Sequence, residues 1–403
     1  MKRPKLVGLT VALALVLLSP TALFSQSPRQ AASEGNWQLL FNGQDLDGWR
    51  LLNGQHSFEV RDGYIVGITN PAEPNGFLVY DEEFGDFILE LEVNVSPLMN
   101  NSGIQFRSLS YEAYQNGRVH GYQAEIDTKP QRWSGSVYDE ARRGWLVTTE
   151  VNPEAKVAFR NGEWNHYRIE AIGTSNRIWV NGVPTSHLVD DLTMRGLIGL
   201  QIHANQAQDP DGSREIRFRN IRIQTSNLEA SPLDDLFVVN FIPNNISAQE
   251  ASQGFSLLWD GQTAQGWQGG SGWQMDNGIL RTVPGNDAEE LVSERLFDAF
   301  ELLFEFKSNE EGSTICGVEY RVTHSALNDE PSTFCQLSQK KLRSRDRWNS
   351  AIIRVRPTDE VEYWLNGNLI LEYVRDDLPS SGQIVLKHDL PFSYRSLKIR
   401  ELD

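Results

Sequence analysis

Trp37-Gln-Leu-Leu-Phe-Asn-Gly-Gln-Asp-Leu-Asp-Gly-Trp49 returns later in the chain as Phe255-Ser-Leu-Leu-Trp-Asp-Gly-Gln-Thr-Ala-Gln-Gly-Trp267. Working outward from this pair, Phe58-Glu-Val-Arg-Asp-Gly-Tyr-Ile-Val66 parallels Trp273-Gln-Met-Asp-Asn-Gly-Ile-Leu280. Phe84-Gly-Asp-Phe-Ile-Leu-Glu-Leu-Glu-Val93 parallels Phe297-Asp-Ala-Phe-Glu-Leu-Leu-Phe-Glu-Phe306. Trp164-Asn165 and Trp179-Val-Asn-Gly182 parallel Trp348-Asn349 and Trp364-Leu-Asn-Gly367. The order is kept throughout, so a whole domain is duplicated in tandem, with no short-period solenoid. The expected organisation is a signal peptide over 1–26, a first domain over 35–225, a linker over 226–252 and a second, degenerate repeat over 253–403.

Nearly every segment reads as strand. Residues 216–223 alternate apolar and polar side chains apart from one irregularity near Asn220, and residues 167–172 alternate throughout. Asn181-Gly182 and Asn366-Gly367 lie between aromatic and apolar residues, the signature of two-residue hairpin turns. Many short antiparallel strands with such turns predict an all-β sandwich or jelly roll. In the linker, the apolar run 236–242 predicts packing on a domain.

The 403 residues suffice for two domains, each with its own core. A net charge of −17 argues against nucleic acid or an anionic membrane as partner. Lys2, Arg3 and Lys5 precede an apolar run over 6–18, the pattern of a secretory signal peptide and too short for a bilayer span of about 20 residues. No later segment predicts a membrane span, no cysteine suggests a lipid anchor, and the expected location is periplasmic or secreted. Cys316 and Cys335 are read equally as a disulfide or a buried free pair.

Asn101-Ser-Gly-Ile-Gln-Phe-Arg107, Gly121-Tyr-Gln-Ala-Glu-Ile-Asp127, Gly162-Glu-Trp-Asn165, Gly196-Leu-Ile-Gly-Leu-Gln-Ile-His203 and Phe218-Arg-Asn-Ile-Arg-Ile223, with the opening Leu-Phe-Asn-Gly…Gly-Trp, resemble the 3-keto-disaccharide hydrolase domain family. The resemblance runs from 37 to 224 and recurs more weakly over 255–402. It implies two tandem concanavalin A/laminin G-like jelly-roll β-sandwich domains. It also implies an exported, carbohydrate-active protein that hydrolyses 3-keto-glycosides or 3-keto-disaccharides.

Strand alternation turns Gln105 with Arg107, Gln123 with Glu125 and Asp127, and Gln201 with His203 to one face, opposite apolar residues. Solvated strand residues are the plain alternative. Against it, these planar groups suit sugar hydroxyls, and the second repeat lacks most of them. Aligning Arg107 with Arg321 sets Glu319 at Gln105, Leu337 near Glu125, Gln339 near Asp127 and Asp389 near His203. The first repeat is therefore expected to carry the site.

Glu125-Ile-Asp127 invites comparison with the Glu-x-Asp-x-x-Glu strand of laminarinase-type retaining glycosidases, but the sixth position is Pro130. Two carboxylates on one strand face lie about 6.6 Å apart, beyond the roughly 5–5.5 Å of a retaining pair. The family resemblance implies another route. A C3 ketone acidifies the C2 proton, a general base removes it, the C1 substituent is expelled, and hydration completes a net hydrolysis. The candidate groups are Glu125 or Asp127 as base, Arg107 as enolate stabiliser and His203 as acid or second base. Gln105, Gln123, Gln201, Tyr138 and His120 are candidate substrate contacts. No cofactor is expected. A divalent ion on Glu125, Asp127 and His203 is compatible with the donor types, but no ligand spacing demands one. The Asp209-Pro-Asp-Gly212 turn reads first as a plain acidic turn, with calcium binding as the alternative. The alternative function is a non-catalytic lectin-like or adhesion module.

Overall fold

The structure is a computed structural model describing residues 37–70, 72–95, 101–204, 215–283, 289–308, 318–322, 347–374, 381–386 and 392–403. The leader at 1–26, Cys316, Cys335, the 209–212 turn, Leu337, Gln339 and Asp389 lie outside the described residues.

The first repeat folds as two facing sheets. One runs in the order Val183–Val189, Ser175–Val180, Asn165–Ile172, Phe87–Val95, Glu215–Gln224, Tyr64–Ile68, Ser57–Arg61, with Trp37–Leu39 also on Glu215–Gln224. The other has seven strands, in the order Gly144–Val147, Val137–Glu140, Gly121–Asp127, Asn101–Ser108, Gly196–Ile202, Gly76–Phe84, Trp49–Leu52. Alternation builds the core between them. Ile216, Phe218, Ile221 and Ile223 point inward, with Asn220 at φ 53° absorbing a bulge, and they meet Ile104, Phe106, Tyr122, Ala124 and Ile126 of the opposite sheet. A small apolar cluster of Phe77, Val79 and Val119, with Leu52 against it, ties the 109–120 segment to the seven-stranded sheet.

The second repeat rebuilds the larger sheet around Phe300–Ser308 and Phe392–Glu401 and encloses a separate core that includes Trp259, Leu302, Ile353 and Leu365. Its second sheet has four strands among the described residues: Trp267–Gly269, Leu291–Ser293, Gly382–Leu386 and Val318–Val322. Tandem jelly-roll sandwiches are thus the observed fold. The linker packs as its apolar run predicts. Val238–Asn240 adds a parallel edge strand beside Val183–Val189, and Phe241 packs against the first core. A short helix, Ala248–Ser252, is closed by a Ser247/Glu250 capping box. Glu250 also receives Lys398 Nζ of the second repeat at 2.6 Å. No helix of the described residues is long and apolar enough to cross a membrane.

Candidate functional site

On the face of the seven-stranded sheet turned away from the core, cross-strand register sets Gln105 opposite Gln123, Gln123 opposite Tyr138, and Tyr138 opposite Trp145. In the next rows Gly103 faces Glu125 and Asn101 faces Asp127. Gln201 lies two residues beyond Gly199, the partner of Gln105. These side chains are not a solvated face. Relative exposure is 0% for Gln105 and Gln201, 2% for Gln123 and Glu125, and 3% for Asp127.

Burying so many polar groups is tolerable only when they are paired, and the pairing has a direction. Ser108 Oγ donates to Gln105 Oε1 at 2.8 Å, the Gln105 amide donates to Gln123 Oε1, and Gln123 Nε2 donates to Glu125 Oε2 at 2.8 Å. Asn101 Nδ2 donates to the other Glu125 oxygen. From the core side, the Tyr167 hydroxyl donates to the Glu125 carbonyl at 3.0 Å, fixing the backbone beneath the carboxyl. Gly103 is required because a Cβ there would lie 2.3 Å from Gln123 Cδ. Burial nevertheless outweighs these donors and pushes the Glu125 carboxyl up to about 8. Glu125 is therefore largely protonated at neutral pH.

Asp127 differs. The Lys129 backbone N–H donates to Oδ1 at 3.1 Å, while buried Oδ2 has no partner among the described residues. Burial raises this carboxyl too, against the opposing Lys129 charge. Gln201 is fully buried with neither its amide nitrogen nor its amide oxygen bonded. Two unfilled groups thus accompany the directed chain. His203 Nδ1 lies 2.7 Å from the Ala204 carbonyl and donates to it, which leaves Nε2 as an acceptor. Burial lowers its pKa, so the ring is neutral near pH 7.

Two expectations are corrected. Arg107 does not share the face of Gln105. Leu197 pairs with Ser108 and Gly199 with Gln105, so the 101–108 strand carries one extra residue, and Arg107 sits in this bulge at φ 46°. Its fully buried guanidinium donates to the carbonyls of Gly85, Ala171 and Gly173, to Asn176 Oδ1 and, at 2.8 Å, to Asp86. It clamps the two sheets and is no enolate stabiliser. His120 is also placed elsewhere. Its ring stacks on Tyr114 with centroids 3.8 Å apart, Nδ1 donates to the Arg118 carbonyl, and its charged neighbours are Arg142 and Asp139.

The structure adds residues that strand alternation missed. Lys129 follows the strand and acts electrostatically on Glu125, Asp127 and His203 alike, so the cation near these groups is a lysine. Half-buried Tyr138, Trp145 and Trp133 form a ring ladder, with centroids 4.9 and 4.8 Å apart. Glu140 lies on the Tyr138 face, paired with Arg118 at 3.3 Å. One sequence signal marks the tryptophans: unlike Trp49, Trp164 and Trp179, neither Trp133 nor Trp145 has a counterpart in the second repeat's matched segments. Among the described residues, no group of three or more His, Cys, Asp or Glu side chains is arranged to hold a metal ion.

No curated protein matches the sequence. Among solved structures, a Parabacteroides distasonis protein named as a glycosyl hydrolase is 17% identical over 47% of this chain and 94% of its own, with a TM-score of 0.35. The carbohydrate-binding module CBM66 of Bacillus subtilis is 17% identical over 43% and 94%, with a TM-score of 0.32. A Bacillus subtilis protein described as having a galectin-like fold is 11% identical over 44% and 90%, with a TM-score of 0.35. The family described as the 3-keto-alpha-glucoside-1,2-lyase-like domain matches residues 36–224 and again 254–400, a match that supports a carbohydrate-related role. Both halves of the duplication thus carry the same family pattern, and the chain belongs to the 3-keto-alpha-glucoside-1,2-lyase-like domain family.

Proposed function

We propose that the chain is an exported enzyme that cleaves 3-keto-glycosides by elimination and hydration, at a site on the first repeat. The observation that carries this reading is the buried polar row in which Glu125 is fully hydrogen-bonded while Asp127 Oδ2 and the Gln201 amide await partners. Environments that separate two carboxyls supply an acid and a base. Asp127, whose Oδ2 is left without a partner among the described residues, takes the C2 proton in its carboxylate form. The C–H pair moves into the C2–C3 bond, and the C3 oxygen takes the negative charge beside Lys129. That enolate collapses to a C1–C2 double bond and breaks the C1–O bond. Glu125 gives its proton to the departing oxygen. Water then adds across the double bond, hydroxyl to C1 and hydrogen to C2, releasing the free 3-keto sugar. Gln201 and His203 Nε2 hold ring hydroxyls. The half-buried aromatic ladder favours a second reading, sugar binding without cleavage.

The test is sugar release from a 3-keto-disaccharide and from its unoxidised parent. Cleavage of the keto form alone is expected, with a primary isotope effect from deuterium at C2. Glu125→Gln and Asp127→Asn should each lower kcat/KM by roughly 100-fold or more. Equal cleavage of the unoxidised parent would replace elimination by direct hydrolysis between the two carboxyls. Binding without turnover would leave the second reading.

A further inference from the structure

We infer that Tyr138, Trp145 and Trp133 form a second sugar subsite, which takes the pyranose ring attached through the bond to be broken. The inference rests on the reading of Glu125 and Asp127 as the reaction centre, and it adds which substrates the site prefers. Tyr138 and Trp145 lie on successive positions across the sheet, and Trp133, outside the strands, stacks edge-on to Trp145 to complete the ladder. Tyr138 is directly opposite Gln123 and Trp145 directly opposite Tyr138, so the ladder begins one strand from Glu125 and extends to a second. At about 4.8 Å per strand, that span matches one further sugar ring laid across the strands. The ladder is also held in place. Trp133 Nε1 donates to Glu150 Oε1 at 3.0 Å, and Lys156 Nζ pairs with the other Glu150 oxygen at 2.6 Å. Trp145 packs edge-on against both neighbours at 65° and 75°. Braced aromatic faces left half open to solvent serve no core, and they offer the apolar face of a pyranose a rigid platform next to a polar row for its partner ring.

The measurement compares kcat/KM of the whole chain on methyl 3-keto-α-glucoside, with one ring, and on a 3-keto-α-disaccharide, with two. Trp145→Ala is expected to lower the two-ring value at least tenfold, and at least fivefold more than the one-ring value. Trp145→Phe should recover part of that loss. Equal losses on both substrates, in a variant with the parent's melting temperature, would overturn the subsite. If the parent cleaves neither substrate, the elimination reading fails while the subsite stays testable by calorimetric titration with unoxidised maltose and glucose. Tighter binding of maltose that Trp145→Ala abolishes would support the subsite alone. Equal binding of both sugars, or of neither, would overturn it.

Discussion

The two repeats keep the same outer framework and differ on the sheet that carries the candidate site. In the first, Asn181 sits at φ 51°, donates from its backbone to the His166 carbonyl, accepts the His166 N–H on Oδ1, and donates from Nδ2 to Asn165. In the second, Asn366 at φ 47° repeats all three bonds with Ser350 and Asn349. Arg219 lies over Trp164 at 3.9 Å and pairs with Glu92; Arg395 lies over Trp348 at 4.2 Å and pairs with Glu305. The other sheet diverges. Gln105 pairs across strands with Gly199, whereas Glu319 pairs with Val385, so register as well as sequence replaces a carboxamide by an acid at that place. Arg321, matched to Arg107 in sequence, pairs in regular register with Gln383, in a strand segment without the bulge that holds Arg107. The structure shows Arg107 serving the fold. What both copies keep is scaffold, and what one copy alone carries is the candidate site.

The harshest way to break that comparison is Arg107→Ala. Several buried acceptors lose their donor at once, and calorimetric unfolding should show a destabilisation of about 3–5 kcal/mol. A variant that melts like the parent yet loses turnover would return Arg107 to the chemistry. Glu125→Gln comes next and has the opposite sign. The carboxyl titrates near 4.5 when unfolded and near 8 when folded, so its stabilising contribution is present below about pH 4.5 and lost as pH rises towards 8. The amide removes that loss, and the variant should be more stable than the parent at pH 8 by on the order of 1–3 kcal/mol, while inactive. In the parent, kcat/KM should fall as pH rises through about 8. The smallest effect sharpens the comparison. Asn181→Ala and Asn366→Ala should each cost about 1–2 kcal/mol, because each strips the Oδ1 and Nδ2 bonds that the two left-handed turns share. Unequal costs in thermal melts would show that the two hairpins are not equivalent.

Much of the molecule was legible from alternation and repetition. The buried faces of 121–127 and 215–224, the irregularity at Asn220, the two Asn-Gly turns and the docking of 236–242 all stem from local pattern. So does the shared face of Gln105, Gln123 and Glu125, since an unbroken strand has a strict period of two. Alternation failed at Arg107, where one extra residue in the strand reverses the facing of the side chains beyond it. It failed also at His120, which sits in a connecting segment outside that period.

The sequence by itself determined the duplication, the sandwich class and the polar row on 121–127, because hydrophobic periodicity and turn chemistry act over a few residues. Only the tertiary structure decided which cation stands near the carboxyls, which tryptophans are half open and which polar atoms lack partners. Those facts depend on how the chain between 127 and 145 and the bulge at 107 pack against residues distant in sequence. Burial, not residue type, sets the charge that Glu125 carries there.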